Sequence, residues 1–260
     1  MSNELYLFQI QEDIAYITIN RPEVRNALNN QLVEELHQLF ETIENNSQLR
    51  AVIITGAGDK AFMAGADIKE LVERDAVLGR KHTKRRQELF NKIENLDVPV
   101  IAAINGVAVG AGLELALSCT FRIAAENAKF AASEVKLGII PGAGGTQRLT
   151  RTVGKTKALE MILLGEMIDA QEAFRIGLLN KVVPFEKLMV EAGEWAEKIK
   201  ALPKLAVQYA KEAVTRGANI GMEIGFAHES YLHALSCTTE DKREGVFAFL
   251  EKRKPQFKGR

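Results

Sequence analysis

The sequence lacks most of the features that quickly narrow a protein's chemistry. Its two cysteines, Cys119 and Cys237, stand alone with no CxxC pair. That excludes a cysteine-built structural zinc site and a disulfide-framed fold, and it fits a reducing compartment. Neither sign of charge is in excess, since Lys plus Arg and Asp plus Glu both number 34. No global field therefore draws in nucleic acid or anionic lipid. The opening Met1-Ser-Asn-Glu-Leu5 has neither the basic start nor the apolar core of a signal peptide, and no Arg-rich transit segment is present. The expected location is cytoplasmic. An uninterrupted membrane-length apolar run is also missing. Val98 to Ser118 is long enough, but it holds Pro99, Asn105, Glu114 and glycines at 106, 110 and 112. A charge and helix breakers near the middle are expensive in lipid, whereas a buried strand, a turn and a buried helix accommodate them. With 260 residues, 47% hydrophobic and 26% charged, the chain has the balance of one large globular body, with room for a small appended domain.

Several catalytic signatures are absent as well. Gly154-Lys155-Thr156 ends like a P-loop, but Leu149 stands where the first glycine is required. Gly142 to Gln147 and Gly110 to Leu115 each miss GxGxxG at its last position, so neither a nucleoside triphosphatase nor a Rossmann dehydrogenase is supported. The four histidines show no HExxH or other metal spacing, and no GxSxG elbow starts a hydrolase triad. His37 and His82 read as solvated surface residues, and His228 and His233 as positions on a C-terminal helix open to interface packing. The basic run Arg80-Lys-His-Thr-Lys-Arg-Arg86 reads as a solvated helix face.

What is present is a pair of glutamates in apolar, glycine-punctuated surroundings. Glu114 is the only ionisable group in Gly106-Val-Ala-Val-Gly-Ala-Gly-Leu-Glu-Leu-Ala-Leu117. Glu134 follows Phe130-Ala-Ala-Ser133 and precedes a run rich in Ile and Gly. A carboxylate among residues that favour burial has partners or a task, and two of them suggest paired acid–base chemistry. Two small-residue turns, at Ala66 and at Ala111, lead into helices. If these turns converge, their amides form an oxyanion hole. On spacing alone, tight strand–helix packing is the commoner explanation. Asp67 reads as a helix cap.

Alternation and periodicity predict strands at Leu5–Ile10 and Ile14–Asn20, an amphipathic helix over Asn26–Asn46, and strands at Ala51–Thr55, Pro99–Ile104, Phe121–Ala124 and Lys129–Ala132. A helix is expected to start at Ile68 and another to cover Ala111–Cys119. Further helices are expected at Lys155–Leu164, Ala170–Ile176, Phe185–Leu202, Leu205–Arg216, Gly221–Leu235 and Glu240–Arg253. The fold class is α/β with an all-helical C-terminal segment. A faint echo, strand then small-residue turn then helix, links Val52–Asp67 with Val100–Glu114.

Five strings in order resemble the enoyl-CoA hydratase/isomerase (crotonase) superfamily over essentially the whole chain. They are Asn20-Arg-Pro-Glu-Val-Arg-Asn-Ala-Leu28, Ala61-Phe-Met-Ala-Gly-Ala-Asp-Ile-Lys69 and Ile104-Asn-Gly-Val-Ala-Val-Gly-Ala-Gly-Leu-Glu-Leu115. Glu134 with Leu137-Gly-Ile-Ile-Pro-Gly-Ala-Gly-Gly-Thr-Gln-Arg-Leu149 is the fourth, and Phe249-Leu-Glu-Lys-Arg253 the last. The resemblance implies a spiral of ββα units over residues 1–195 and a C-terminal helical oligomerisation domain over 196–260, assembling as a trimer or a dimer of trimers. It implies an acyl-CoA thioester substrate held at its oxygen by the amides of Ala66 and Ala111.

Hydratases of the superfamily carry glutamates at both positions twenty residues apart, as here. Glu114 is therefore expected to orient and deprotonate water for C3, and Glu134 to transfer a proton at C2. The product is then a (3S)-3-hydroxyacyl-CoA formed by syn addition to a 2-trans-enoyl-CoA. The alternatives are Δ3–Δ2 isomerisation, hydration of a branched enoyl-CoA, or an RNA-binding relative. The last is disfavoured because the helix over 29–46 has no lysine and carries Glu34, Glu35, Glu41 and Glu44. The resemblance also places substrate or CoA contacts at Ala64, Ala66, Asp67 and Ile68, at Gly110 and Ala111, and at Pro141 and Gly142. Phe249 and Lys252 would reach CoA from the C-terminal helix, in the same or a neighbouring subunit, with core packing the competing reading for Phe249. No metal and no separate cofactor are expected, since coenzyme A arrives as part of the substrate. The acyl-pocket wall is expected within Leu71–Arg86. Fatty-acid metabolism is the expected setting, with amino-acid and aromatic catabolism left open.

Overall fold

The computed structural model describes residues 4–72 and 74–260. Met1–Asn3, read above for targeting signals, and Glu73 of the 71–86 segment lie outside the described residues. A hairpin of β1 (Tyr6–Gln11) and β2 (Ile14–Ile19) opens the fold, turned by Glu12 and Asp13 at φ of 46° and 69°. After α1 (Asn30–Glu44) the chain winds through three repeating units. The first is β3 (Ala51–Gly56), β4 (Ala61–Ala64) and the short α2 (Ile68–Leu71), with α3 (Ala76–Asn95) inserted before the second. The second is β5 (Val100–Ile104), β6 (Val107–Val109) and α4 (Ala111–Ser118). The third is β7 (Phe121–Ala125), β8 (Lys129–Ala131), a 3-10 turn over Glu134–Leu137 and α5 (Gly145–Leu164).

The spiral closes with β9 (Ile168–Asp169), α6 (Ala170–Arg175), β10 (Lys181–Val183) and α7 (Leu188–Lys200). Then come α8 (Lys204–Gly217), α9 (Met222–Cys237) and α10 (Glu240–Leu250). The 195/196 division falls within α7. No helix among the described residues is long and apolar enough to cross a membrane.

Each unit gives one strand to each of two sheets, so the winding builds both at once. One sheet runs β1-β2-β3-β5-β7-β10, parallel from β2 onward, and the other runs β4-β6-β8-β9 with only β9 antiparallel. Parallel strands covered on both faces read as continuous apolar runs, and every residue of β3 and β5 is buried. The apolar stripe of α1, Leu32, Leu36, Leu39, Phe40 and Ile43, packs into the main core with Leu89, Phe90 and Ile93 of α3.

The structure moves several boundaries. Helix α1 begins at Asn30 because Asn29 caps it, its side chain accepting from the Leu32 amide at 2.9 Å. Asn26, expected to start that helix, is fully buried at φ 59°. Its side-chain amide instead donates to Ala57 O at 3.0 Å and Ala61 O at 2.8 Å, tying this turn to the first unit. Helix α5 starts at Gly145 rather than 155, with a break at Gly154, φ 77°. His37 is a correction, because it is buried and its Nε2 lies 3.0 Å from Arg85 O. His82 is half-buried rather than solvated.

Candidate active site

The second unit positions the first carboxylate. Gly110 sits at φ 54°, ψ −121°, a conformation that only glycine adopts without strain. Gly112 lets α4 press onto β4, because a Cβ there would lie 2.0 Å from Met63 O. The helix begins at Ala111, whose N–H has no acceptor within it. Glu114 lies one turn in and is only 4% exposed. Its Oε1 accepts from the Ala143 amide at 2.7 Å and the Gly145 amide at 2.8 Å. Burial pushes its pKa up to about 7, and the charge of Glu134 adds to this. The Gly145 and Ala143 amides and Arg86 pull the other way.

Glu134 opens the 3-10 turn of the third unit and is half-buried. It faces the Gly110 turn, since a Cβ on Gly110 would lie 3.1 Å from Glu134 Oε1 and 3.6 Å from Gly65 Cα. Its Oε2 is buried and has no partner among the described residues. Burial raises its pKa, its own backbone amide opposing the shift.

Ala66 follows β4. Leu28 donates to Gly65 O at 2.9 Å and accepts from the Asp67 amide at 2.9 Å in a parallel bridge. In a parallel bridge the residue between those two bonds points its own N–H away from the partner strand. The Ala66 N–H therefore faces away from Leu28. One cavity of about 350 Å³ is lined by Ala64, Ala66, Ile68, Gly110, Ala111, Glu114, Glu134 and Gly142. Both small-residue turns and both carboxylates thus meet in one place, where spacing alone favoured packing. Such a site can hold a carbonyl oxygen on amides and move protons on two carboxyl groups.

Four expected contacts do not line the cavity. Asp67 is turned away by capping, accepting from the Lys69 amide at 3.3 Å, and by an ion pair with Arg21 at 3.2 Å. Pro141 is buried and packed near Gly145. Phe249 is 83% exposed on α10, which removes the core-packing reading. Lys252, at φ 55°, is exposed beyond that helix.

Other contributors were missed. The Ala143 and Gly145 amides that hold Glu114 are backbone groups with no side-chain signal. Arg74, Thr83 and Arg86 line the cavity. Arg86, read above as part of a solvated face, is 5% exposed, and burial with repulsion from Arg74 pushes its pKa down to about 10. Its place was visible in the pattern, because Arg86, Leu89, Phe90 and Ile93 recur at helical spacing on the buried face of α3.

A family model described as enoyl-CoA hydratase/isomerase matches residues 9–260. The chain is 46% identical over 248 residues to a short-chain-enoyl-CoA hydratase of Clostridium acetobutylicum, covering 95% of each. It is 43% identical over 250 residues to a 2,3-dehydroadipyl-CoA hydratase of Escherichia coli, covering 96% of this chain and 97% of that one. An enoyl-CoA hydratase structure from Bacillus anthracis superposes with a TM-score of 0.95 at 42% identity, covering 99% of this chain and all of that one.

Proposed function

Because this chain belongs to the enoyl-CoA hydratase/isomerase family, we propose that it is an enoyl-CoA hydratase, a hydro-lyase. It adds water reversibly across the double bond of a 2-trans-enoyl-CoA, syn, to give the (3S)-3-hydroxyacyl-CoA. The observation that carries this reading is the meeting of Glu114 and Glu134 in one cavity. Moving a double bond requires a proton carrier, which one carboxyl group can be. Adding water requires a base for the water and an acid for the carbon, and two carboxyl groups supply both.

Glu114, ionised and fixed by two amides, takes a proton from water as the water oxygen bonds to C3. The displaced electron pair moves onto the thioester oxygen, which the Ala66 and Ala111 amides receive. Glu134, protonated, delivers its proton to C2, and solvent returns a proton from Glu114 to Glu134. An oxyanion donor is worth roughly 10²–10³ in rate and a positioned acid or base about 10²–10⁴. Neither alone reaches common enzymatic accelerations. All groups in this sequence belong to the chain or the substrate, and coenzyme A is the substrate's own handle, so no resident cofactor or metal is expected.

Ala64, Ile68 and Gly142 are the expected CoA contacts in this chain, with Phe249 and Lys252 reaching CoA of a neighbouring subunit. Residues 196–260 serve assembly into a trimer or a dimer of trimers. The exposure of Phe226, Tyr231, Phe249 and Leu250 on the last two helices supports this. Fatty-acid metabolism in the cytoplasm is the setting that fits, with no nucleic-acid partner.

Loss of the conjugated absorbance of crotonyl-CoA tests the reading, with a 3-enoyl-CoA as the competing substrate. Fast hydration by the wild type and collapse in Glu114→Gln and Glu134→Gln support it. An inactive wild type, or turnover of the 3-enoyl-CoA alone, moves the activity elsewhere in the family.

A further inference from the structure

The cavity wall opposite the two catalytic carboxyl groups in role carries an excess of positive charge. Arg74 and Arg86 both line it, and among the described residues Glu70 is the one carboxylate within ion-pairing distance of either. Glu70 is thinly spread. Its Oε1 accepts from the Asn30 amide at 2.8 Å, while its Oε2 lies 3.4 Å from Arg74 and 3.5 Å from Arg86. Arg86 adds only a 3.4 Å contact to Asn30 Oδ1. Among the described residues, the Nε of Arg74 and that of Arg86 are both buried without a partner. Two guanidinium groups sharing one distant carboxylate repel each other, and Glu114, the other carboxylate that attracts Arg86, lies beyond ion-pairing distance and meets none of these donors. Such an arrangement is costly unless a further anion completes it.

The geometry points to that anion's source. With the thioester oxygen on the Ala66 and Ala111 amides, and C2 and C3 between Glu114 and Glu134, Ala64 and Ile68 lie toward the CoA. Of the remaining lining, Leu71, Arg74, Thr83 and Arg86 with Ile139 and Ile140 offer room for the acyl chain. A purely hydrocarbon chain would dehydrate the two guanidinium groups further and satisfy neither. Resting on the hydratase reading above, we propose that Arg74 and Arg86 bind a carboxylate at the far end of the acyl chain. The favoured substrates are then enoyl-CoAs bearing an ω-carboxylate. Planar guanidinium groups match a carboxylate with two parallel bonds, and a charged hydrogen bond of this kind corresponds to roughly 10–100-fold in affinity. A phosphate of coenzyme A is the other anion that could fill the place.

The test compares trans-2-hexenedioyl-CoA with trans-2-hexenoyl-CoA, equal in length and different only at the terminus. For the wild type, kcat/KM on the carboxylated substrate is expected to exceed that on the other by about tenfold or more. In Arg86→Gln and in Arg74→Gln that ratio falls toward one. Equal use of both substrates by the wild type overturns the inference and leaves the hydratase reading standing. Variants that lose both substrates by the same factor also overturn it, placing the arginines on a CoA phosphate or in a structural role. Inactivity toward both substrates and crotonyl-CoA overturns the hydratase reading and this inference with it. The wild-type comparison needs no variant to fold.

Discussion

Glu114 and Glu134 occupy one cavity twenty residues apart in sequence, yet the fold treats them differently. Glu114 projects from a helix buried along its whole length and is gripped by two amides through a single oxygen. Glu134 sits on a single 3-10 turn, half-buried, with one oxygen enclosed and unpartnered among the described residues. Both carboxyl groups are raised in pKa by burial, but only Glu114 has that shift restrained by bonds from another segment. A held carboxylate suits a group that must aim a water molecule. A less tethered one suits a group that meets a substrate carbon and has its free oxygen satisfied only when substrate arrives.

Separating the two roles is the sharpest challenge to this contrast. Glu114→Gln and Glu134→Gln are each expected to lower kcat for hydration by about 10²–10⁴. Exchange of the C2 protons of a saturated acyl-CoA with deuterated solvent needs the C2 acid–base group and the oxyanion amides but no water at C3. Glu114→Gln is expected to keep much of that exchange and Glu134→Gln to abolish it, as read by mass spectrometry. The reverse pattern would exchange the assignments. Hydration by the wild type should also fall about tenfold per pH unit below pH 7, as Glu114, with its pKa of about 7, becomes protonated and ceases to act as a base.

The contrast also separates what the sequence could reveal from what it could not. Both glutamates stood out because a charge in an apolar stretch is a local anomaly, readable without the fold. The long helices were legible for the same reason, since α1 repeats Leu32, Leu36, Leu39 and Ile43 over four turns. The strands β4, β6 and β9 span two to four residues each, too few for alternation to declare itself, so of the second sheet only β8 was legible. Helix α3 hid behind its polar first half. The amides of Ala143 and Gly145 leave no letter in the sequence, and Arg86 was read together with its basic run although its spacing to Leu89, Phe90 and Ile93 marked it for the buried face.

Backbone support gives a smaller perturbation on the Glu114 side. A Cβ on Gly145 would lie 2.9 Å from both Glu114 Oε1 and Pro141 Cβ, so Gly145→Ala must displace the carboxylate or its amide. A shift of about 1 Å can cost about 10²-fold, so kcat is expected to fall roughly 10–100-fold with KM little changed. Gly138→Ala, in the turn beneath Glu134, meets nothing within 4 Å and only strains φ at +75°. Its cost should appear in stability, about 1 kcal/mol, with activity near wild type. Steady-state kinetics on the two variants would break the comparison if Gly138→Ala proved the more damaging to kcat.

The smallest expected effect reverses the usual sign for a site residue. The folded pKa of Glu114 lies near 7 against 4.5 for an ordinary glutamate, so between those values the unfolded chain ionises first. Stability from this group is then full below about pH 4.5, falls as pH rises toward 7 and is flat above. The difference amounts to about 3 kcal/mol lost at alkaline pH. Gln at 114 keeps an oxygen for the two amides and carries no charge, so Glu114→Gln should melt several degrees higher than wild type at pH 8. That gain should shrink toward pH 5. Glu134→Gln, half-exposed, should show a lesser gain. Thermal melts at the two pH values decide it, and equal gains in both variants would mean that burial weighs on the two carboxyl groups alike despite their different attachment.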